Sequence, residues 1–168
     1  MSKEKINLQE IIVKAKNDAS LFSTIDVEKL LEVADDDKND YLENKTLHDI
    51  VNDIHDTLVV LPITKLKIKD IQQKLSEYRY VERICDLHKG KHIRWIRISG
   101  FKIIPKTSSY SLTNGAVVVD IIFTDTGTNI LCRNYNNVFI QIKFDDCLIF
   151  QKLSTDEELI LMAYELIK

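Results

Sequence analysis

Val138-Phe139-Ile140-Gln141-Ile142-Lys143-Phe144-Asp145, followed by Asp146 and by Cys147-Leu148-Ile149-Phe150-Gln151-Lys152-Leu153, is the stretch whose reading decides the fold. In its first half Val138, Ile140, Ile142 and Phe144 alternate with Gln141, Lys143 and Asp145. That period of two turns one face of a β-strand to a core and the other to water. The second half is a short apolar run, a second strand. Directly after it Ser154-Thr155-Asp156-Glu157 has the spacing of a capping box, ahead of Leu159, Ile160, Ala163 and Ile167 at helical intervals. Two strands and a capped helix are therefore legible in residues 138–168.

Upstream, β-branched and aromatic residues crowd into runs separated by turn signals, which predicts further strands at His92–Ile98, Gly115–Thr124 and Asn129–Asn134. Asn114-Gly115, Asp125-Thr126-Gly127-Thr128 and Asn134-Tyr135-Asn136-Asn137 supply residues that tolerate a positive φ. Several short antiparallel strands within about sixty residues bury their apolar faces most economically by closing into a small barrel resembling an SH3-like module. Before Gly90 the periodicity is helical. Leu8, Ile11, Ile12 and Ala15 predict one helix over 7–19, and Ser23 starts a second that carries Val27, Leu30, Leu31 and Ala34. Leu47, Ile50, Val51, Ile54 and Leu58 predict a third, broken at Leu61-Pro62. Thr64 caps a fourth, whose stripe passes through Leu66, Ile71 and Leu75, a break near Ser76–Tyr78, then Val81, Ile84 and Leu87 to a stop at Gly90. The expected class is α+β: a helical region at 1–90, then a small antiparallel barrel with a capping helix at 91–168.

The chain has 168 residues and a net charge of −3, unevenly spread. Residues 91–153 hold 8 Lys and Arg against 4 Asp and no Glu, whereas the flanking blocks are acidic. Apolar runs such as Ala116-Val117-Val118-Val119 are interrupted far short of the ~20 residues of a membrane span, and the first ten residues lack the apolar core of a secretory signal. An intracellular protein without membrane contact is the expectation. Cys85, Cys132 and Cys147 form no Cys-x-x-Cys pair and sit beside apolar neighbours, so they read as reduced, small hydrophobes.

Candidate chemistry is sparse. Asp35, Asp37 and Asn39 fall at positions one, three and five of a calcium-type loop, but Asp40 stands where glycine makes the turn and Thr46 where a bidentate glutamate closes the shell. An acidic interhelical loop is the better reading, with weak cation binding as the lesser one. His48 and His55 lie seven apart on one helix, roughly 10 Å, too far to share an ion unaided. With only four glycines and no phosphate-cradling loop, no nucleotide cofactor is implied. Asp145-Asp146 suits a hairpin better than acid–base work, because adjacent strand residues point to opposite faces. What remains is the basic block. Arg94, Trp95, Arg97, Lys102, Arg133 and Lys143 bring cations and aromatic surface together, the ingredients of a protein-binding or single-strand nucleic-acid-binding surface. The flanking isoleucines of Trp95 also fit a core position.

Tyr78-Arg79-Tyr80-Val81, Leu87-His88-Lys89-Gly90-Lys91-His92-Ile93-Arg94-Trp95-Ile96, Leu112-Thr113-Asn114-Gly115, Cys132-Arg133-Asn134 and the run Lys143 to Ser154 form a set that resembles an uncharacterised protein family of giant, nucleocytoplasmic large DNA viruses, over residues 75–164. The resemblance implies a protein made in an infected cell, acting in the host cytoplasm, the viral factory or the virion. Combined with the charge pattern, the expectation is a non-enzymatic adaptor that works through protein contacts, with nucleic-acid binding on the barrel surface as the alternative. Acidic flanks around a basic centre also allow pairing between copies.

Overall fold

The computed structural model describes Lys29, Glu32, Val33 and residues 36–98 and 110–165. The expected helix over 7–19, the start of the second helix, and Asp35, Lys102 and Lys106 lie outside these residues. Lys29, Glu32 and Val33 are helical, as the second helix requires. The protein is α+β, and it divides into two compact units, one formed by residues 50–153 and one that joins residues 154–168 to the chain before Ile50.

The unit of residues 50–153 contains most of α1 (Leu47–Val59), then α2 (Lys65–Lys74) and six strands: β1 (Tyr78–Tyr80), β2 (His92–Arg97), β3 (Ala116–Thr124), β4 (Gly127–Arg133), β5 (Phe139–Lys143) and β6 (Cys147–Lys152). On α1 the buried side chains are Ile50, Ile54 and Leu58, one stripe at a spacing of four. Thr64 caps α2 by accepting from the Lys67 N–H at 3.3 Å. Ile68, Ile71 and Leu75 are buried, while Leu66, part of the expected stripe, is 81% exposed.

All strand pairings are antiparallel and the order is β1-β6-β2-β3-β4-β5. Five of the six strands fall where alternation and turn residues put them. β1 does not, and after it the expected helical stripe from Val81 to Gly90 is replaced by a loop with one 3-10 turn at Ile84–Asp86. The physical reason is that Val81 and Leu87 are buried in the core from irregular backbone, so their spacing records burial and not a helix. β1 itself carries a single buried residue, Arg79, and so shows no apolar alternation.

The sheet is open. Among the described residues β1 and β5 each pair on one side only, in place of the closed barrel expected from the sequence. It nonetheless serves one core, because β2 to β6 and the loop after β1 all contribute to a single cluster: Ile93, Trp95, Val118, Ile130, Cys132, Ile142, Ile149, Val81 and their neighbours. The loop between β1 and β2 is fastened by two buried polar side chains that oppose each other in the ladder, Arg79 and Gln151. An Arg79 N–H donates to the Asp86 carbonyl at 2.6 Å, and Gln151 Oε1 accepts from the His88 backbone N–H at 2.8 Å. Both satisfy backbone groups that no strand partner reaches.

The other unit contains a 3-10 helix (Asp37–Leu42), the start of α1, and α3 (Thr155–Glu165). The capping box forms as spelled: Ser154 Oγ accepts from the Glu157 N–H at 3.2 Å, and Glu157 Oε2 accepts from the Ser154 N–H at 2.6 Å. The second oxygen of this buried carboxylate accepts from the Tyr41 hydroxyl; Leu42, next to Tyr41, and Ile160, Leu161 and Tyr164 of α3 are buried as well.

Candidate functional site

The run Ala116-Val117-Val118-Val119-Asp120-Ile121-Ile122 poses a problem for a strand. With strict alternation from the buried Val118, Asp120 would point into the core. The register shows how this is avoided: Val118 lies opposite Cys132 but Asp120 opposite Leu131, so Val119 is the extra residue of a β-bulge. Past the bulge the parity flips. Ile121 joins the core beside Ile130, and Asp120 turns outward, where it pairs with Lys89. The ammonium beside it, with the Ile121 N–H, holds its carboxyl below the usual aspartate range.

The outer face of β3, β4 and β5 can then be laid out row by row. Val117, Arg133 and Phe139 share one row; Asp120, Leu131 and Gln141 the next; Ile122, Asn129 and Lys143 the third. Arg133 is thus flanked by two apolar side chains, and Phe139 is 60% exposed, Val117 and Ile122 each 37%. Arg133 and Lys143 stand at opposite ends of this face, about 13 Å apart along the strand direction at ~3.4 Å per residue. Neither has an ion-pair partner among the described residues. Asp120, the carboxylate of these rows, is already neutralised by Lys89. The face therefore has a cation at each end with exposed apolar side chains in the same row, Val117 and Phe139 beside Arg133 and Ile122 in the row of Lys143, and Asp120, Leu131 and Gln141 between them.

The remaining candidates from the basic block are placed elsewhere. The Arg94 side chain donates through Nε to the Thr113 carbonyl at 2.8 Å and through Nη1 to the Lys74 carbonyl at 3.1 Å, so it ties β2 to the end of α2 and to the chain before β3. Trp95 is 6% exposed and lies in the core, where its ring offers no stacking platform. Arg97 is exposed at the end of β2, opposite Cys147 in register. Burial pushes the Cys147 thiol up against the opposing pull of Arg97, and burial pushes Cys132 up to about 12, so both are protonated core residues. Lys102 lies outside the described residues.

The acidic loop is a capped turn. Asp36 Oδ1 accepts from the Lys38 N–H at 3.1 Å, and the Asn39 amide donates to the Val33 carbonyl at 2.9 Å, which takes up one of the three residues of the calcium-type spacing. Thr46, at the position a closing glutamate would need, instead caps α1 in exchange with Asp49 at 2.8 and 3.2 Å. Among the described residues no three His, Cys, Asp or Glu side chains converge as a metal site. No helix among them is long and apolar enough to cross a membrane.

Val117, Ile122 and Phe139 are the residues of this face that charge counting passes over. A signal was present for one of them: Phe139 occupies the polar parity of an otherwise clean alternation, where a buried role is excluded. Against known proteins, the chain matches no family model, no curated protein and no solved structure.

Proposed function

We propose that this chain is a non-enzymatic adaptor that binds a protein partner through the outer face of β3, β4 and β5, with Arg133, Phe139 and Lys143 at the contact. The observation that carries the reading is the coincidence, on one regular surface, of exposed apolar side chains with two cations that have no ion-pair partner among the described residues. Arginine and aromatic residues in such a setting supply most of the energy of protein contacts. A face with only two such cations among the described residues favours a protein partner over a nucleic acid, whose affinity is built from many phosphate contacts. The shifted titrations among the described residues trace first to burial, for Tyr80, His92, Cys132, Cys147 and Tyr164, or to single surface pairs, for Arg83 and Asp120. Each has a structural cause, which fits a role without catalysis.

The fold reading that accompanies this function is a small SH3-like module left unclosed between β1 and β5. In its support, β6 inserts between β1 and β2, a 3-10 turn at Phe144–Asp146 joins β5 to β6, and one core serves β2 to β6. The resemblance to giant-virus proteins supports placing the activity inside an infected cell.

The test is a quantitative pull-down from infected-cell extract with nuclease present, comparing the wild type with Arg133→Glu, Phe139→Ser and, as an off-face control, Lys91→Glu. Capture of a specific protein that falls tenfold or more with the first two and is unchanged with the third is expected, since losing one central contact residue costs about 1–2 kcal/mol or more. Capture that vanishes with nuclease, together with oligonucleotide affinity falling steeply as salt rises, would move the assignment to nucleic acid.

A further inference from the structure

The direction of the backbone groups of β5 follows from its hairpin. The Asn134 N–H donates to the Val138 carbonyl at 3.0 Å, so residues 134 and 138 form a hydrogen-bonded pair. In an antiparallel ladder such pairs alternate with pairs that are not bonded to each other. Cys132 with Ile140 and Ile130 with Ile142 are therefore bonded pairs, and Arg133 with Phe139, Leu131 with Gln141 and Asn129 with Lys143 are not. The N–H and C=O groups of Phe139 and Gln141 and the N–H of Lys143 point away from β4, while the Lys143 C=O caps the 3-10 turn at Phe144–Asp146. No strand among the described residues pairs with that edge. The same three residues carry their side chains on the outer face described above.

We infer that β5 is the acceptor edge for strand addition, and that its ligand is an extended acidic segment of a partner protein; this rests on the protein-binding reading and specifies its mode. A strand laid about 4.8 Å beyond β5 bonds to the three outward-facing residues and extends each row of the face by one side chain. Its residue opposite Lys143 sits in cross-strand contact with an ammonium that has no ion-pair partner among the described residues, and a long carboxylate opposite Phe139 reaches across the ring toward Arg133. Residues of the other parity continue the side of Ile140 and Ile142, where apolar side chains fit. The preferred ligand therefore alternates acidic with apolar residues.

A second copy is the less suitable occupant. Two β5 strands pairing about Gln141 bring Lys143 of each copy alongside Phe139 of the other and close to its Arg133, a like-charge approach with no carboxylate in those rows to relieve it. Lysine on an open edge discourages neutral and cationic strands. Here it leaves the edge open to an anionic one.

The experiment uses the full chain with a synthetic octapeptide alternating glutamate and valine, and a lysine–valine octapeptide as control. Binding is measured by calorimetry, and amide hydrogen exchange is followed by NMR. The acidic peptide should bind, the basic one should not, and the amides of Phe139, Gln141 and Lys143 should exchange at least tenfold more slowly when it is bound. Gln141→Pro removes one outward N–H while leaving the β4 side of the ladder intact, as proline permits on an edge, and should weaken binding tenfold or more. Should that variant fail to fold, the exchange measurement on the wild type decides. Failure of the acidic peptide to bind overturns the inference. So does binding that is lost in Arg133→Glu yet leaves the three amides and Gln141→Pro unaffected, an outcome that keeps the protein-binding face while rejecting strand addition. If neither Arg133→Glu nor Gln141→Pro alters capture of the cellular partner, the face itself is wrong. A concentration-dependent dimer abolished by Gln141→Pro would instead assign the edge to a second copy, and salt-steep oligonucleotide binding at Arg133 and Lys143 would assign the face to nucleic acid.

Discussion

His92 shows at the level of one residue how position determines charge. It begins β2, its Nδ1 lies 3.1 Å from the Tyr78 hydroxyl, and the two rings meet edge to face at 6.1 Å. Burial lowers its pKa below the ordinary 6.5, and the nearby cations Arg94 and Lys152 lower it further. The folded protein thus binds this proton less readily than the unfolded chain does. Below about pH 6.5 the unfolded chain gains a proton that the folded state resists, so stability present above that pH is lost as the pH falls. Urea midpoints measured between pH 7.5 and 5 should decline for the wild type, and His92→Phe should show a shallower decline over the same window. An identical slope in both would show that His92 carries none of this linkage.

At the level of the element, Gly115 sets the register between β2 and β3. It has φ +91, a conformation L side chains rarely adopt, and an added Cβ would overlap the Ile93 carbonyl oxygen and crowd the His92 ring. Gly115→Ala combines the left-handed backbone cost of about 1–2 kcal/mol with that overlap, so a loss of at least ~2 kcal/mol is expected in chemical denaturation. An unchanged midpoint would mean that the pairing of Ile93 with Ala116 is slack. The Asn114-Gly115 turn was legible in the sequence for this reason, and so were five strands, because alternation and positive-φ residues are local properties. β1 was not: three residues with a buried arginine at the centre carry no local signal, and the strand exists because β6 offers it a partner. The bulge at Val119 was likewise hidden, since it answers to the position of Asp120 relative to β4. The candidate site divides the same way. Arg133 and Lys143 could be named from charge alone, but Arg94 and Trp95 share the same composition and are consumed by backbone carbonyls and by the core. Only the register separates the two pairs.

At the scale of the whole molecule, each compact unit has its own buried polar fastening, Arg79 and Gln151 in one and Glu157 in the other. Glu157 is the more exposed to a single substitution, because one carboxylate accepts from both the Ser154 N–H and the Tyr41 hydroxyl while 2% exposed. Glu157→Ala removes the acceptor from both donors at once and opens a buried site, an expected cost of about 1–3 kcal/mol. That cost should fall on the unit that contains α3. Native-state hydrogen exchange is expected to speed up for amides of α3 and of residues 41–49, while amides of Ile130 and Ile149, at the centre of the sheet's core, keep their wild-type rates. Equal acceleration in both sets would mean that the two units open as one cooperative body, and the sheet that carries the binding face would then depend on a cap that belongs to the other unit.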